Sequence, residues 1–180
     1  MKTIRYLLIV PLVLGLLSGY LWASAALRLS FEQLVAVADR VVIAEVVEIS
    51  PSTWGPKHMR IYTSYTFEVD QEVAGNGLRR FSIVQPGGRI GNLAQRTDGY
   101  PKFARGEKLL LFLEKHVGDF RVVGLCQGVF GFHIDEQRQI IYQRLSGLSF
   151  PKDPGRPILL ERDEAIRRIR ELFQAKQVSP

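Results

Sequence analysis

Ile61-Tyr62-Thr63-Ser64-Tyr65-Thr66-Phe67-Glu68-Val69-Asp70 alternates without a break. Ile61, Thr63, Tyr65, Phe67 and Val69 fall on one face of an extended chain, and Tyr62, Ser64, Thr66, Glu68 and Asp70 fall on the other. Period two, with β-branched and aromatic residues throughout, predicts a long half-buried strand. Gly75-Asn76-Gly77 then turns the chain into a partner over residues 78–85, so the two runs read as a hairpin.

Outward from this hairpin the β signal continues in both directions. Residues 41–49 form a β-branched run broken only by Ala44, Glu45 and Glu48, the composition of a largely buried strand. Downstream, residues 109–113, 120–125, 129–134 and 140–143 read as short strands separated by turn residues. Residues 86–105, with Pro86, Gly87, Gly88, Gly91, Gly99 and Pro101, follow neither period and read as one long loop. Ser30-Phe31-Glu32-Gln33 has the form of a capping box and starts a short N-terminal helix that ends near Asp39. A C-terminal amphipathic helix is expected over about 160–174, with Ile166, Ile169, Leu172 and Phe173 packed on the strands. Asp163 with Arg167 and Glu164 with Arg168 stand at i,i+4 spacing on it. Mainly β with two helices suits a small closed barrel, because closure removes exposed sheet edges, with an open sandwich as the alternative.

The whole chain has 180 residues, 46% hydrophobic and 23% charged, which is enough for one domain with a packed core. Lys2 and Arg5 precede an uncharged run from Tyr6 to Leu27, in which Ala23-Ser24-Ala25 matches a signal-peptidase site. Residues 1–25 are therefore expected to be a signal peptide, with an uncleaved anchor as the alternative, and the protein to be exported to the periplasm or beyond. The expected organisation is signal peptide 1–25, β-domain 26–150, and linker with terminal helix 151–180. Cys126 is the sole cysteine, so no intrachain disulfide and no multi-cysteine metal site can form. It lies in an apolar run and reads as a small buried side chain.

Ala38-Asp39-Arg40-Val41 opening one strand, the long alternating strand, and Gly106-Glu107-Lys108-Leu109 opening another give an order of elements that resembles the OB-like barrel of tissue inhibitors of metalloproteinases and netrin-type modules. It also resembles uncharacterised exported bacterial proteins that carry a Q-P-G-G loop, here Gln85-Pro86-Gly87-Gly88. The resemblance implies an OB-like barrel and a secreted or envelope protease as partner. The inhibitors chelate the protease zinc through a disulfide-fixed N-terminal cysteine. This chain cannot do so, because its predicted mature N-terminus is Ala26 and its one cysteine is remote.

For function, the sequence points to a non-catalytic binding or regulatory module rather than an enzyme. No G-x-S-x-G, H-E-x-x-H or phosphate-loop pattern occurs, and His58, His116 and His133 lie far apart, so neither a metal nor a cofactor is expected. Residues 85–108 concentrate Arg89, Arg96, Lys102, Arg105 and Lys108 with Tyr100 and Phe103, against only Asp98 and Glu107. The formal charge of +6 adds to this attraction for anions. Gln85, Gly87, Gly88, Arg89, Arg96, Tyr100 and Phe103, with Trp54 on a neighbouring loop, are the candidate partner-binding residues. The glycines there permit positive φ or close backbone approach, whether for docking or for a tight strand exit. An extracytoplasmic protein is the first expected partner and an envelope glycan or other polyanion the second. Export argues against nucleic acid, and a membrane enters only through an uncleaved leader.

Overall fold

The computed structural model describes residues 26–117, 119–145, 147, 148, 150 and 155–178. The leader 1–25 and the linker residues 151–154 lie outside the described residues.

Helix α1 (Phe31–Val37) starts on the expected capping box: the Ser30 hydroxyl accepts from the Gln33 amide at 3.2 Å, and the Gln33 side chain accepts from the Ser30 amide at 2.8 Å. Strands β1 (Arg40–Ile49), β2 (Thr53–Trp54), β3 (Ile61–Ala74), β4 (Arg80–Pro86), β5 (Gly88–Ile90), β6 (Leu93–Gln95), β7 (Lys108–His116), β8 (Asp119–Val122), β9 (Val129–Asp135), β10 (Arg138–Gln143) and β11 (Leu159–Glu161) follow, and helix α2 (Arg162–Val178) ends the described chain.

The large sheet runs β11-β10-β9-β7-β1-β3-β2, with β4 beside β3 and β8 beside β7. Tyr65 pairs with Ile49 of β1 and with Ile83 of β4, so β3 lies between them and the expected β3–β4 hairpin is present. Both faces of the central strands are buried. Val41 and Ile43 of β1 with Leu110 and Phe112 of β7 face α1 and α2, where they pack with Leu34, Ile166 and Ile169. Val42, Ala44 and Val46 with Leu109, Leu111 and Leu113 face the hollow of the sheet, with Phe67, Phe81, Ile83 and Phe103. Burial on two faces explains why β1 and β7 are continuous apolar runs while β3 alternates.

The closed OB-like barrel expected from the edge argument, and from the resemblance to metalloproteinase inhibitors and netrin-type modules, is overturned: the sheet is open. The place where closure fails is specific. Strands β4 and β8 approach with Cα atoms within 8 Å, yet no ladder joins them. Strand β8 has only four residues, Pro86 at the end of β4 has no N–H to give, and the two strands meet through the Phe81 and Phe120 rings, edge to face at 6.0 Å. A ring contact stands in the seam where hydrogen bonds would close a barrel.

Smaller expectations also change, among them the strand read over 120–125, which ends at Val122. The stretch read as one loop over 86–105 contains a short hairpin, β5 with β6. Leu160 and Glu161, expected to open the helix, instead extend the sheet against β10 together with Leu159, so α2 starts at Arg162. On α2 the charges pair differently: Arg167 bonds Glu171 at 2.9 Å, and Arg168 reaches across to Glu32 on α1.

Candidate functional site

Beyond β4 the chain folds back over the hollow of the sheet and encloses a pocket of about 410 Å³. Gln85, Pro86, Gly87 and Gly88 form one side, Ala94, Gln95, Arg96 and Thr97 another, and Tyr100-Pro101-Lys102-Phe103 a third, with Tyr65 reaching in from β3. Of the residues that the sequence singles out, Gln85, Gly87, Gly88, Arg96, Tyr100 and Phe103 line this one pocket. Trp54 and Arg89 do not line it. Trp54 is exposed on β2 with its ring 6.1 Å from His58, and Arg89 is exposed on β5, where its Nε donates to the Gly91 carbonyl at 3.1 Å.

The glycines are required where they stand. Gly87 has φ +116° and Gly88 φ +138°, and a Cβ on Gly88 would lie 2.2 Å from the Ser52 hydroxyl and 2.5 Å from that of Thr63. Their neighbouring amides are already engaged: Gly87 N donates to Ile61 O at 2.7 Å and Arg89 N to Ser52 Oγ at 3.1 Å. The string therefore shapes a wall, and these two amides are spent within the fold.

The far wall is held in several places. Arg144 reaches Glu107 at 2.6 Å and donates to the Lys102 carbonyl at 3.1 Å, while Glu107 accepts from the Ala104 amide at 3.0 Å. The Gly99 carbonyl accepts from the Cys126 amide at 3.0 Å. Phe103, only 7% exposed, packs edge to face on Tyr65 and Phe67 with centroids at 5.2 and 5.1 Å. It is a core anchor rather than a surface contact. The Gln95 side chain accepts from the Ile61 amide at 2.7 Å and ties β6 to β3.

Gln85 stands apart among the buried polar side chains. Thr63, Gln85, Gln127 and Gln143 are the buried polar residues of the described chain. Thr63 bonds Ser52 and Gly87, Gln127 bonds the Leu27 carbonyl and the Leu29 amide, and Gln143 bonds the Gln127 carbonyl and the Ile158 amide. Gln85, 5% exposed, makes no side-chain hydrogen bond among the described residues. Neither of its polar atoms is sealed from a water-sized sphere, and the open space beside it is the pocket. A carboxamide on a buried residue that bonds nothing within the fold and still reaches open space has its donor and acceptor available to an occupant.

A second pocket of about 260 Å³ lies at the seam between β4 and β8 and shares Gln85, Tyr100 and Pro101 with the first. Its remaining lining is Ile83, Val84, Val122, Gly124 and Leu125, with Glu114 and Arg121 bonded to each other at 2.9 Å.

Electrostatically the first pocket is lopsided: Arg96 and Lys102 line it and no carboxylate does. Arg96 meets Asp98 only at 3.6 Å with both side chains well exposed, a pairing of little strength. Lys108, grouped with these cations by sequence, is drawn away to Asp70 at 2.7 Å, and that bond raises its pKa. Burial pushes the Tyr65 phenol above its ordinary value of 10.0, so it remains a protonated donor. Burial likewise pushes the Cys126 thiol up to about 11. His58, His116 and His133 are exposed and belong to different elements, and no group of metal-ligating side chains occurs among the described residues.

Tyr65, Gln95 and Thr97 are among the lining residues that sequence reasoning missed. Tyr65 carried a signal in its position on the inward face of β3, but nothing in the sequence placed residue 103 over it. No family model matches the chain, and no curated protein or solved structure shows detectable similarity to it.

Proposed function

We propose that the chain is a non-catalytic binding module that acts outside the cytoplasm and takes its ligand in the pocket bounded by Gln85, Gln95, Arg96, Tyr100, Lys102 and Phe103. The observation that carries this reading is the Gln85 side chain, which belongs to a buried residue, has no hydrogen-bond partner among the described residues, and lines that space. A volume of about 410 Å³ is in the range of small-ligand sites, and aromatic walls with a few convergent polar groups are their usual lining. Two cations without a carboxylate favour an anionic group. The lining has no histidine, cysteine or acid to move a proton or attack a substrate, which supports binding over turnover.

Small probes test this directly. Acetate, glucuronate and N-acetylglycine titrated into 15N-labelled protein are expected to shift the Gln85 side-chain amide and the backbone signals of Arg96 and Lys102, more strongly for the anions than for acetamide. Shifts confined to other surfaces would refute the placement of the site.

A further inference from the structure

We infer that the ligand is an extended peptide segment carrying an acidic side chain and an aliphatic side chain two residues apart, the first held in the larger pocket and the second at the β4–β8 seam. The inference rests on the binding-module reading and adds the class of ligand.

Three observations lead to it. The two pockets adjoin, sharing Gln85, Tyr100 and Pro101, so one occupant can reach from one into the other. Their chemistries differ. The larger has Arg96 and Lys102 and no carboxylate, and thus suits an anion. The smaller is walled by Ile83, Val84, Val122 and Leu125, and its two charges are spent on each other at 2.9 Å, so it suits an aliphatic group better than the hydroxyls of a sugar. Between them lies Gln85, whose carboxamide has a donor and an acceptor side by side. That pair complements the C=O and N–H of a peptide bond in both directions.

The spacing follows from strand geometry. Side chains at i and i+2 of an extended peptide share a face and stand about 6.6 Å apart, the shortest same-face spacing that it offers to two adjoining pockets. An acidic residue and an aliphatic residue at i and i+2 are therefore the pair that suits two pockets with a shared wall. A strand inserted between β4 and β8 does not fit, because their Cα atoms are within 8 Å and two ladder spacings need about 9.6 Å. The peptide lies across the seam rather than inside the sheet.

The test uses protein expressed from the full 180-residue sequence. Acetyl-Glu-Ala-Leu-amide and acetyl-Leu-Ala-Glu-amide, one for each chain direction, are titrated into 15N-labelled protein beside analogues with Gln for Glu or Gly for Leu, and beside glucuronate. The inference expects one direction to shift the Gln85 side-chain amide together with Lys102 and Leu125, and each analogue to bind about tenfold or more weakly, the loss of one charge-assisted contact or one buried side chain. Glucuronate shifting only the larger pocket, with the peptides adding nothing at Leu125 or losing nothing when Leu is removed, would overturn the peptide assignment and leave the binding site standing. If no probe moves Gln85, the assignment and the binding site fall together.

Discussion

The Ser52 hydroxyl donates to the Thr63 hydroxyl at 2.9 Å, and the direction of that bond is fixed by its neighbours. Thr63 has one hydroxyl hydrogen, and it goes to the Gly87 carbonyl at 2.8 Å, which can only accept; Ser52 must then donate to Thr63 and accept from the Arg89 amide at 3.1 Å. The resulting relay joins the loop after β1, the start of β3 and both ends of the glycine pair, and so sets one wall of the pocket.

Thr63→Val is nearly isosteric but breaks the relay and takes the Thr63 donor from the Gly87 carbonyl in a partly buried place. It is expected to destabilise the protein by about 1–3 kcal/mol in urea unfolding, while Thr63→Ser stays within about 1 kcal/mol of wild type. Gly88→Ala adds a Cβ 2.2 Å from Ser52 Oγ at a φ of +138°, and a loss larger than that of Thr63→Ser is expected.

Arg144 ties the far wall through Glu107 and the Lys102 carbonyl, with both charged side chains about a quarter exposed. Arg144→Met should raise hydrogen exchange over residues 100–107 by several-fold, the equivalent of about 1 kcal/mol of local opening, and leave α1 unchanged. Uniform acceleration across the chain would show instead that Arg144 supports the whole fold.

Glu32 is held below its ordinary 4.5 by its own backbone amide, by the Ser30 hydroxyl and by Arg168. A depressed carboxylate contributes stability that is present above the unfolded value and is lost as pH falls through the folded one. Glu32→Gln should therefore flatten the stability profile below about pH 4.5 and leave its slope unchanged between pH 6 and 8. The group is nearly half exposed, so the amplitude is a few tenths of a kcal/mol.

Cys126, fully buried and with its thiol pushed up to about 11, is roughly one part in a thousand thiolate at pH 8. Native protein should resist iodoacetamide for hours at that pH and label fully in guanidinium. Rapid native labelling would mean that the segment around Cys126 opens readily.

The elements that sequence read well are those whose pattern is local. Strict alternation from Ile61 to Asp70 and the glycine turn at 75–77 are sufficient for β3 and β4, and the Ser30–Gln33 box for the start of α1. Closure of the sheet was not legible, because it depends on whether Ser82 and Val84 at the free edge of β4 meet partners on β8, and no periodicity encodes that. Leu160-Glu161 reads as helical because it adjoins a helical stretch, but the open edge of β10 captures it with Leu159. The pocket was legible in half. Gln85-Pro86-Gly87-Gly88 and Tyr100 stood out as unusual strings, while Tyr65 and Gln95 were invisible as site residues because folding alone brings them from β3 and β6. Gln85 itself stood out by its company, and only the structure shows that its amide is left without a partner among the described residues.

The most direct test needs no ligand: equilibrium unfolding of Gln85→Leu beside Gln143→Leu. Gln143 bonds the Gln127 carbonyl at 2.8 Å and the Ile158 amide at 3.3 Å, so its replacement should cost about 1–3 kcal/mol. If Gln85 is kept for a ligand, replacing its amide by a similar apolar volume should leave the protein as stable as wild type or up to about 2 kcal/mol more stable. A loss comparable to that of Gln143→Leu would contradict the account, since it would mean that the Gln85 amide serves the fold and not the pocket.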